Sequence, residues 1–115
     1  MERKYQVIHS PQAQEFKDTL GRKEQKKIDF VIDKVEMGFF GDWFKKMSGS
    51  DDIWEFTVDF NGVFHRLLAF FDTTDKEDPL IITTHGFKKK TNKTPKNELE
   101  KAQALKKKYF RDIAE

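Results

Sequence analysis

The 115-residue sequence contains no cysteine, so it can form neither disulfide bonds nor thiolate metal sites, and nothing in it indicates an oxidising compartment. Its three histidines are widely separated and form no metal-site signature. No apolar run approaches the roughly 18 residues that suggest a membrane span, and the first residues, Met1 to Lys4, lead into none. We therefore expect a cytoplasmic protein with no metal, cofactor or membrane contact.

The sequence also has no internal repeat, low-complexity tract or linker, which predicts a single domain over residues 1–115. Charged residues make up 37% of the chain, as do apolar residues. Twelve phenylalanines and two tryptophans nevertheless supply large apolar side chains, enough for one compact core. The composition therefore indicates a folded domain with a heavily charged surface.

The net charge of +2 is unevenly distributed. Residues 1–87 contain 12 Lys and Arg against 16 Asp and Glu, a net of −4, whereas residues 88–111 contain 10 against 2, a net of +8. We call residues 88–111 the basic segment. It would attract a polyanion or the acidic surface of a partner protein. A lysine-rich solvated helix has the same composition, so the cluster alone does not decide the function.

The N-terminal half of the sequence predicts a strand followed by two helices. Tyr5 to His9 is typical of a short strand, and Ser10-Pro11 of a helix start with serine as N-cap. Gly21 interrupts the helical pattern. The second helix is indicated by apolar residues spaced i, i+3, i+4 and i+7, namely Ile28, Val31, Ile32 and Val35. We expect these helices to form a hairpin that covers one face of a sheet.

A β-hairpin is the clearest local feature. Apolar and polar residues alternate from Trp54 to Phe60, and Asn61-Gly62 predicts a type I′ turn. A two-residue turn fixes the register, so that Thr57 faces Arg66. The more apolar side of the hairpin is expected to pack on the helices. The other side carries Arg66 and Thr57 and is expected to lack helix cover.

The C-terminal part predicts one more strand, Leu80 to Phe87, and a final helix that begins at Thr94-Pro95. Ala102, Leu105 and Tyr109 form the apolar stripe of this helix, which could extend to Ile113. The predicted fold class is α+β, in the order β-α-α-β-β-β-α. It combines an antiparallel sheet with an N-terminal helical hairpin on one face and a C-terminal helix.

Several short motifs carry a resemblance to a known family. They are Phe44-Lys45-Lys46-Met47-Ser48-Gly49, Ile53-Trp54-Glu55-Phe56, His65-Arg66-Leu67, His85-Gly86-Phe87-Lys88-Lys89-Lys90-Thr91 and Thr94-Pro95. In order and spacing they resemble the RelE-type toxin superfamily, particularly its HigB-like, phage-Gp49-like branch. The resemblance implies a RelE/ParE-like fold and a toxin of a type II toxin–antitoxin system. It further implies a metal-independent mRNA endoribonuclease that acts on the ribosome and inhibits translation.

The sequence departs from the family pattern at two positions. Thr57 stands where the first hairpin strand usually carries a basic residue, and His65 stands where the return strand often has tyrosine. The loss of a cation from the RNA face bears on activity rather than on the fold.

Metal-free RNA cleavage needs a proton acceptor, a proton donor and fixed cations around the phosphorane. With the resemblance, this requirement gives the catalytic candidates, which are Arg66, Lys89, Lys90 and His85. The RNA-binding candidates are Lys45, Lys46, Thr57 and Lys88. Each has a structural alternative: Arg66 as a cross-strand partner of Glu55 or Asp59, the lysines as solvated surface, and His85 as a strand histidine that holds a backbone carbonyl. We expect structural roles for His65 and Tyr109.

The resemblance also implies the partners. They are a cognate antitoxin with a helix-turn-helix domain, mRNA and the ribosome, and operator DNA only through the antitoxin. Two other functions stay open. One is a ParE-like, non-enzymatic poison of DNA gyrase, and the other is an inactive relative that only binds its antitoxin. Arg66 with three successive lysines favours the nuclease, because a gyrase poison needs no phosphate-stabilising site.

Overall fold

The computed structural model of the protein describes residues 2–91 and 93–114. They form an α+β fold with a five-stranded mixed sheet and three helices. In chain order the elements are β1 (Gln6–His9), α1 (Pro11–Asp18), α2 (Arg22–Glu36), β2 (Phe44–Lys46), β3 (Trp54–Phe60), β4 (Val63–Asp72), β5 (Leu80–Lys89) and α3 (Lys96–Ala114).

The two N-terminal helices begin where the sequence indicates. The Ser10 hydroxyl oxygen accepts a hydrogen bond from the Ala13 amide at 3.1 Å, and Pro11 takes the first helical position. Gly21 separates the helices, and its amide donates to the Glu24 carboxylate at 3.2 Å, which caps α2. The predicted helical hairpin, its Ser10 N-cap and the interruption at Gly21 are therefore confirmed, whereas the cap of α2 by Glu24 was not predicted.

The β3–β4 hairpin has the predicted turn and register. Asn61 and Gly62 have φ values of 54° and 80°, the left-handed backbone that a type I′ turn requires at both central residues. Thr57 lies opposite Arg66, and Phe60 lies opposite Val63.

The sheet differs from the prediction at both edges. Its order is β1-β5-β4-β3-β2, and β1 pairs with β5 in parallel, so the antiparallel prediction is wrong there. Residues 10–79, which include α1, α2 and strands β2 to β4, connect β1 to β5, and such a long connection allows parallel pairing, whereas a short turn would not. Residues 44–46, which the predicted order of elements leaves outside any strand, form the short edge strand β2. β5 also runs past Phe87 to Lys89.

Helices cover both faces of the sheet. We call the side under α1 and α2 the hairpin face; its buried cluster includes the predicted stripe of α2, Ile28, Val31, Ile32 and Val35. We call the opposite side the α3 face, where α3 packs through Leu99, Ala102, Tyr109 and Phe110. The prediction that this side lacks helix cover is wrong. It also carries apolar side chains, Leu68, Phe70 and Ile82, which need cover by a second layer.

Within the described ranges, the structure contains no helix long and apolar enough to cross a membrane.

Candidate functional site

Arg66 lies on the α3 face and is buried, with 2% of its surface exposed, next to Glu55 at 4%. Its Nη1 donates to Glu55 Oε1, and also lies 3.4 Å from the hydroxyl oxygens of Thr57 and Thr94. Its Nη2 donates to the Thr91 carbonyl at 3.3 Å. The Thr94 hydroxyl donates to Glu55 Oε2. This hydrogen bond links Thr94, two residues before α3 begins, to the ion pair.

This geometry corrects the expectation that Arg66 lies on an open RNA-facing surface. The guanidinium is buried and contacts Thr91 and Thr94, and it forms the cross-strand pair with Glu55 that was the structural alternative. Each member of such a buried pair depends on the other, because a single charge left in that place would be poorly solvated. A direct catalytic role for Arg66 stays a prediction. Thr57, an RNA-binding candidate, belongs to the same cluster through a 3.0 Å hydrogen bond to Glu55.

The side chains of the three successive lysines, Lys88 to Lys90, do not all lie on the same side of the sheet. Lys88 and Lys89 lie within β5, where neighbouring side chains point to opposite faces. Lys88 extends over the hairpin face, and its Nζ lies 3.5 Å from Glu24 Oε2. Lys89 is half-buried in register with Phe64, on the α3 face, and Lys90 is exposed just beyond the strand.

Lys45 and Lys46 lie on the edge strand β2, three strands away from β5 in the sheet. Both are exposed, and Lys46 pairs with Asp52 at 2.7 Å. The structure therefore does not bring these two RNA-binding candidates together with His85, Lys89 and Lys90.

His85 is buried on the α3 face, with 4% of its surface exposed. The Thr84 hydroxyl donates to the Leu68 carbonyl at 3.2 Å, so its oxygen is left to accept a proton from His85 Nδ1 at 3.0 Å. This assigns the ring proton to Nδ1 and the lone pair to Nε2. Nε2 lies 3.5 Å from Glu98 Oε1 in α3, and has no hydrogen-bond partner among the described residues.

Burial is the largest influence on the pKa of His85 and lowers it below the ordinary value of 6.5. The carboxylate of Glu98 raises the pKa and the ammonium of Lys101 lowers it, with a net lowering. The imidazole is therefore neutral at physiological pH, and its Nε2 can accept a proton.

An open pocket of about 370 Å³ lies beside His85, between α1, the end of β5 and α3. Its lining residues are Gln12, Glu15, Phe16, Thr19, His85, Gly86 and Lys101. Phe16 packs directly on the backbone of Gly86, where an added Cβ would lie 2.2 Å from Phe16 Cδ2. This close contact fixes α1 against β5 next to the histidine. The His85 ring thus borders a pocket that is also lined by a cation, Lys101, while its Nε2 atom is enclosed.

His65 and Tyr109 have the packing that we expected of structural residues. His65 is buried on the hairpin face, and its Nε2 lies 2.5 Å from Glu24 Oε2 in α2. The Tyr109 hydroxyl donates to Asp72 at 2.6 Å, which links α3 to β4. Burial, together with this acidic neighbour, raises the pKa of Tyr109 to about 12.

Sequence reasoning missed Thr84, Glu98 and Lys101 as neighbours of His85. Glu98 and Lys101 lie one turn apart on α3, beside the buried Ala102. The apolar stripe of α3 predicts which side of the helix is buried. It does not predict the strand on which that side packs. Within residues 2–91 and 93–114, no group of three or more His, Asp or Glu side chains could hold a metal ion.

The sequence pattern of the family described as phage-derived protein Gp49-like (DUF891) matches residues 15–107. This match spans most of the chain, so the protein belongs to the Gp49-like family, which is associated with toxin–antitoxin systems. No curated protein matches the chain.

Proposed function

We propose that this protein is the toxin of a type II toxin–antitoxin pair, and that it acts as a RelE/HigB-like endoribonuclease on ribosome-bound mRNA. Membership of the Gp49-like family supports the toxin part. The observation that carries the nuclease part is the neutral His85 imidazole beside Glu98, at the wall of a pocket that also contains Lys101. A base, an adjacent carboxylate and a fixed cation are the groups that metal-free RNA cleavage uses.

In this mechanism His85 Nε2 takes the proton of a ribose 2′-hydroxyl, whose oxygen then attacks the neighbouring phosphorus. A new O2′–P bond forms and the P–O5′ bond breaks. The proton returns from the imidazolium to the leaving 5′-oxygen, so His85 ends the cycle neutral. Glu98 stabilises the imidazolium that exists between the two transfers, and Lys101 stabilises the negative charge on the phosphorane.

The enclosure of Nε2 supports ribosome dependence. Nε2 is fully buried between β5 and α3, so a ribose reaches it only when the first turns of α3 shift. A ribosome can supply both the positioned message and the surface that favours this shift. Lys89 and Lys90 then contact the flanking RNA phosphates, whereas Lys88 stays near Glu24.

The test compares His85→Gln with His65→Gln in a purified translation system, with cleavage of ribosome-bound mRNA as the readout. His85→Gln should lower the cleavage rate by about 10²–10⁴, the usual contribution of one general acid–base group. His65→Gln is the matched control, because His65 is equally buried but lies on the hairpin face, and it should retain cleavage. Equal cleavage by His85→Gln and wild type would exclude His85 as the base.

One observation favours the second candidate function, a ParE-like gyrase poison. The guanidinium that was expected to stabilise the phosphorane is held by Glu55, and this reduces the cations available for catalysis. If expression in a bacterium produces trapped double-stranded DNA breaks while translation continues, the gyrase function replaces the nuclease. If the protein neither arrests growth nor cuts RNA, it is an inactive relative.

A further inference from the structure

A polar contact joins the residues before α3 to the middle of the sheet. The Thr94 hydroxyl donates to Glu55 Oε2 and lies 3.4 Å from Arg66 Nη1. Glu55 and Arg66 are both buried and form an ion pair between β3 and β4. We call Thr94, Glu55 and Arg66 the latch. Thr94 contacts side chains 28 and 39 positions earlier in the sequence, so the latch is a tertiary contact and not a helix cap.

The latch lies beside His85 on the α3 face. In the β4–β5 register the residue opposite His85 is Leu68, which is two positions along β4 from Arg66. Arg66 and His85 are therefore diagonal neighbours on paired strands, a separation that is typically about 7–8 Å. Thr94 contacts the ion pair, and Glu98, one helical turn later, lies 3.5 Å from His85 Nε2. The residues that hold the latch thus lead directly into the turn that covers the histidine.

Little apolar packing holds the first turns of α3. Ala102 is the first residue of the helix that is fully buried, and among residues 96–101, all of them described, Leu99 alone packs in the apolar cluster. The second half of the helix has its own link to the sheet, the hydrogen bond from Tyr109 to Asp72. A helix end with little buried apolar surface opens at a lower free energy than the whole fold. The first turns can therefore open while the second half stays in place.

We propose that the latch is an autoinhibitory contact, which keeps the start of α3 closed over His85 until a ribosome-bound message favours the open form. This inference rests on the proposed function, because it concerns the regulation of that site. In the closed form His85 Nε2 is buried and cannot reach a ribose. Thr94 is a positioning residue, since it acts through α3 and touches no reacting atom. Its hydroxyl stabilises the closed form, because opening breaks a hydrogen bond to a carboxylate.

The experiment measures how often His85 is uncovered in the full chain without a ribosome. Diethyl pyrocarbonate modifies a neutral imidazole that solvent reaches, and mass spectrometry of the peptides gives the rate at each histidine. Thr94→Val should raise the rate at His85 by about 10–100-fold, because the closed form loses a hydrogen bond to a charged group. His65 is the internal control, since it is as buried as His85 but lies against α2, and its rate should not change.

Three further variants test whether the effect comes from this one hydroxyl. Thr94→Ser keeps the hydroxyl and should react at His85 like wild type. Thr91→Val is the matched control, because Thr91 accepts from Arg66 through its backbone carbonyl, which the substitution leaves in place. Thr57→Val removes another threonine hydroxyl that donates to the same carboxylate, but Thr57 lies on β3 and does not hold α3. Both valine controls should leave the rate at His85 unchanged.

Cleavage assays with the same variants separate this inference from the proposed function. If Thr94→Val uncovers His85 and cuts naked mRNA that wild type leaves intact, both are supported. If it uncovers His85 but cuts neither naked nor ribosome-bound mRNA, the closure of α3 by the latch is supported and the nuclease is contradicted.

Three results would overturn the inference. In the first, Thr94→Val reacts at His85 no faster than Thr91→Val does. In the second, His65 becomes reactive together with His85, which indicates general unfolding and not a local opening. In the third, Thr94→Val uncovers His85 but gains no cleavage of naked mRNA over wild type while both proteins cut on the ribosome, so that the contact does not regulate cleavage.

Discussion

The two faces of the sheet are built from different kinds of side chain. On the hairpin face, α2 buries four aliphatic residues against a cluster of Phe, Val, Leu and Ala side chains, with His65 at its margin. On the α3 face, only Ala102 of the 19-residue helix is fully buried, and four ionisable groups lie beneath the helix or next to the residues before it. They are Glu55, Arg66, Asp72 and His85.

This difference indicates a division of roles within one small domain. An apolar interface between helix and sheet is stabilised by the apolar surface area that it removes from water. Such an interface can hold the fold in one arrangement. Buried ionisable groups cost free energy unless each is paired, and the α3 face holds four of them, with Arg66 paired to Glu55 and Asp72 bonded to Tyr109. Such groups are candidates for chemistry, and the proposed nuclease mechanism uses one of them, His85.

The largest effect should come from breaking the buried ion pair. Arg66→Ala should lower the free energy of unfolding by about 3–5 kcal/mol, because it leaves the Glu55 carboxylate without its counter-charge. Urea denaturation measures this change. The double variant Glu55→Leu with Arg66→Met should recover most of the loss, since it replaces both charges with apolar volume. A stable Arg66→Ala protein would mean that the α3 face is more solvated than the structure indicates.

A smaller effect should come from the link between α3 and β4. Tyr109→Phe removes the hydrogen bond to Asp72 and should cost about 1.5–3 kcal/mol, the usual range for a bond to a charged group. Tyr5→Phe is the matched control on the hairpin face, because no hydrogen bond from the Tyr5 hydroxyl occurs among the described residues. Hydrogen exchange should show that Tyr109→Phe speeds exchange in α3 and leaves α2 unchanged. Equal acceleration in both helices would contradict the independence of the two faces.

The smallest effect concerns a charged contact at the edge of the hairpin face. The hydrogen bond from His65 is the largest of the influences that hold the pKa of Glu24 below its ordinary value of 4.5. The contribution of Glu24 to stability is therefore complete above that value and is lost as the pH falls through the lower pKa of the folded state. Thermal unfolding of wild type and Glu24→Gln should differ at neutral pH and converge in acid. A difference that widens in acid would reverse the sign of this linkage.

Local pattern was sufficient to predict most of the elements. Ser10-Pro11 and Gly21 place the ends of the helices, because capping and backbone conformation depend on neighbours in sequence. Asn61-Gly62 fixes the register of β3 and β4, because two left-handed residues allow only one kind of turn. The apolar positions of α2 and the structural role of His65 follow from the same periodicities.

Tertiary structure decided three features of the fold. They are the parallel pairing of β1, the strand pairing of residues 44–46 and the placement of α3. None is encoded by residues close in sequence, because each depends on which apolar surface remains uncovered once the hairpins have formed. The placement of α3 then determined the candidate site. It enclosed Arg66 with Glu55, and brought Glu98 and Lys101 to His85 across more than ten residues of chain. The sequence by itself determined which side chains share a strand face, whereas packing decided which of them water and a substrate can reach.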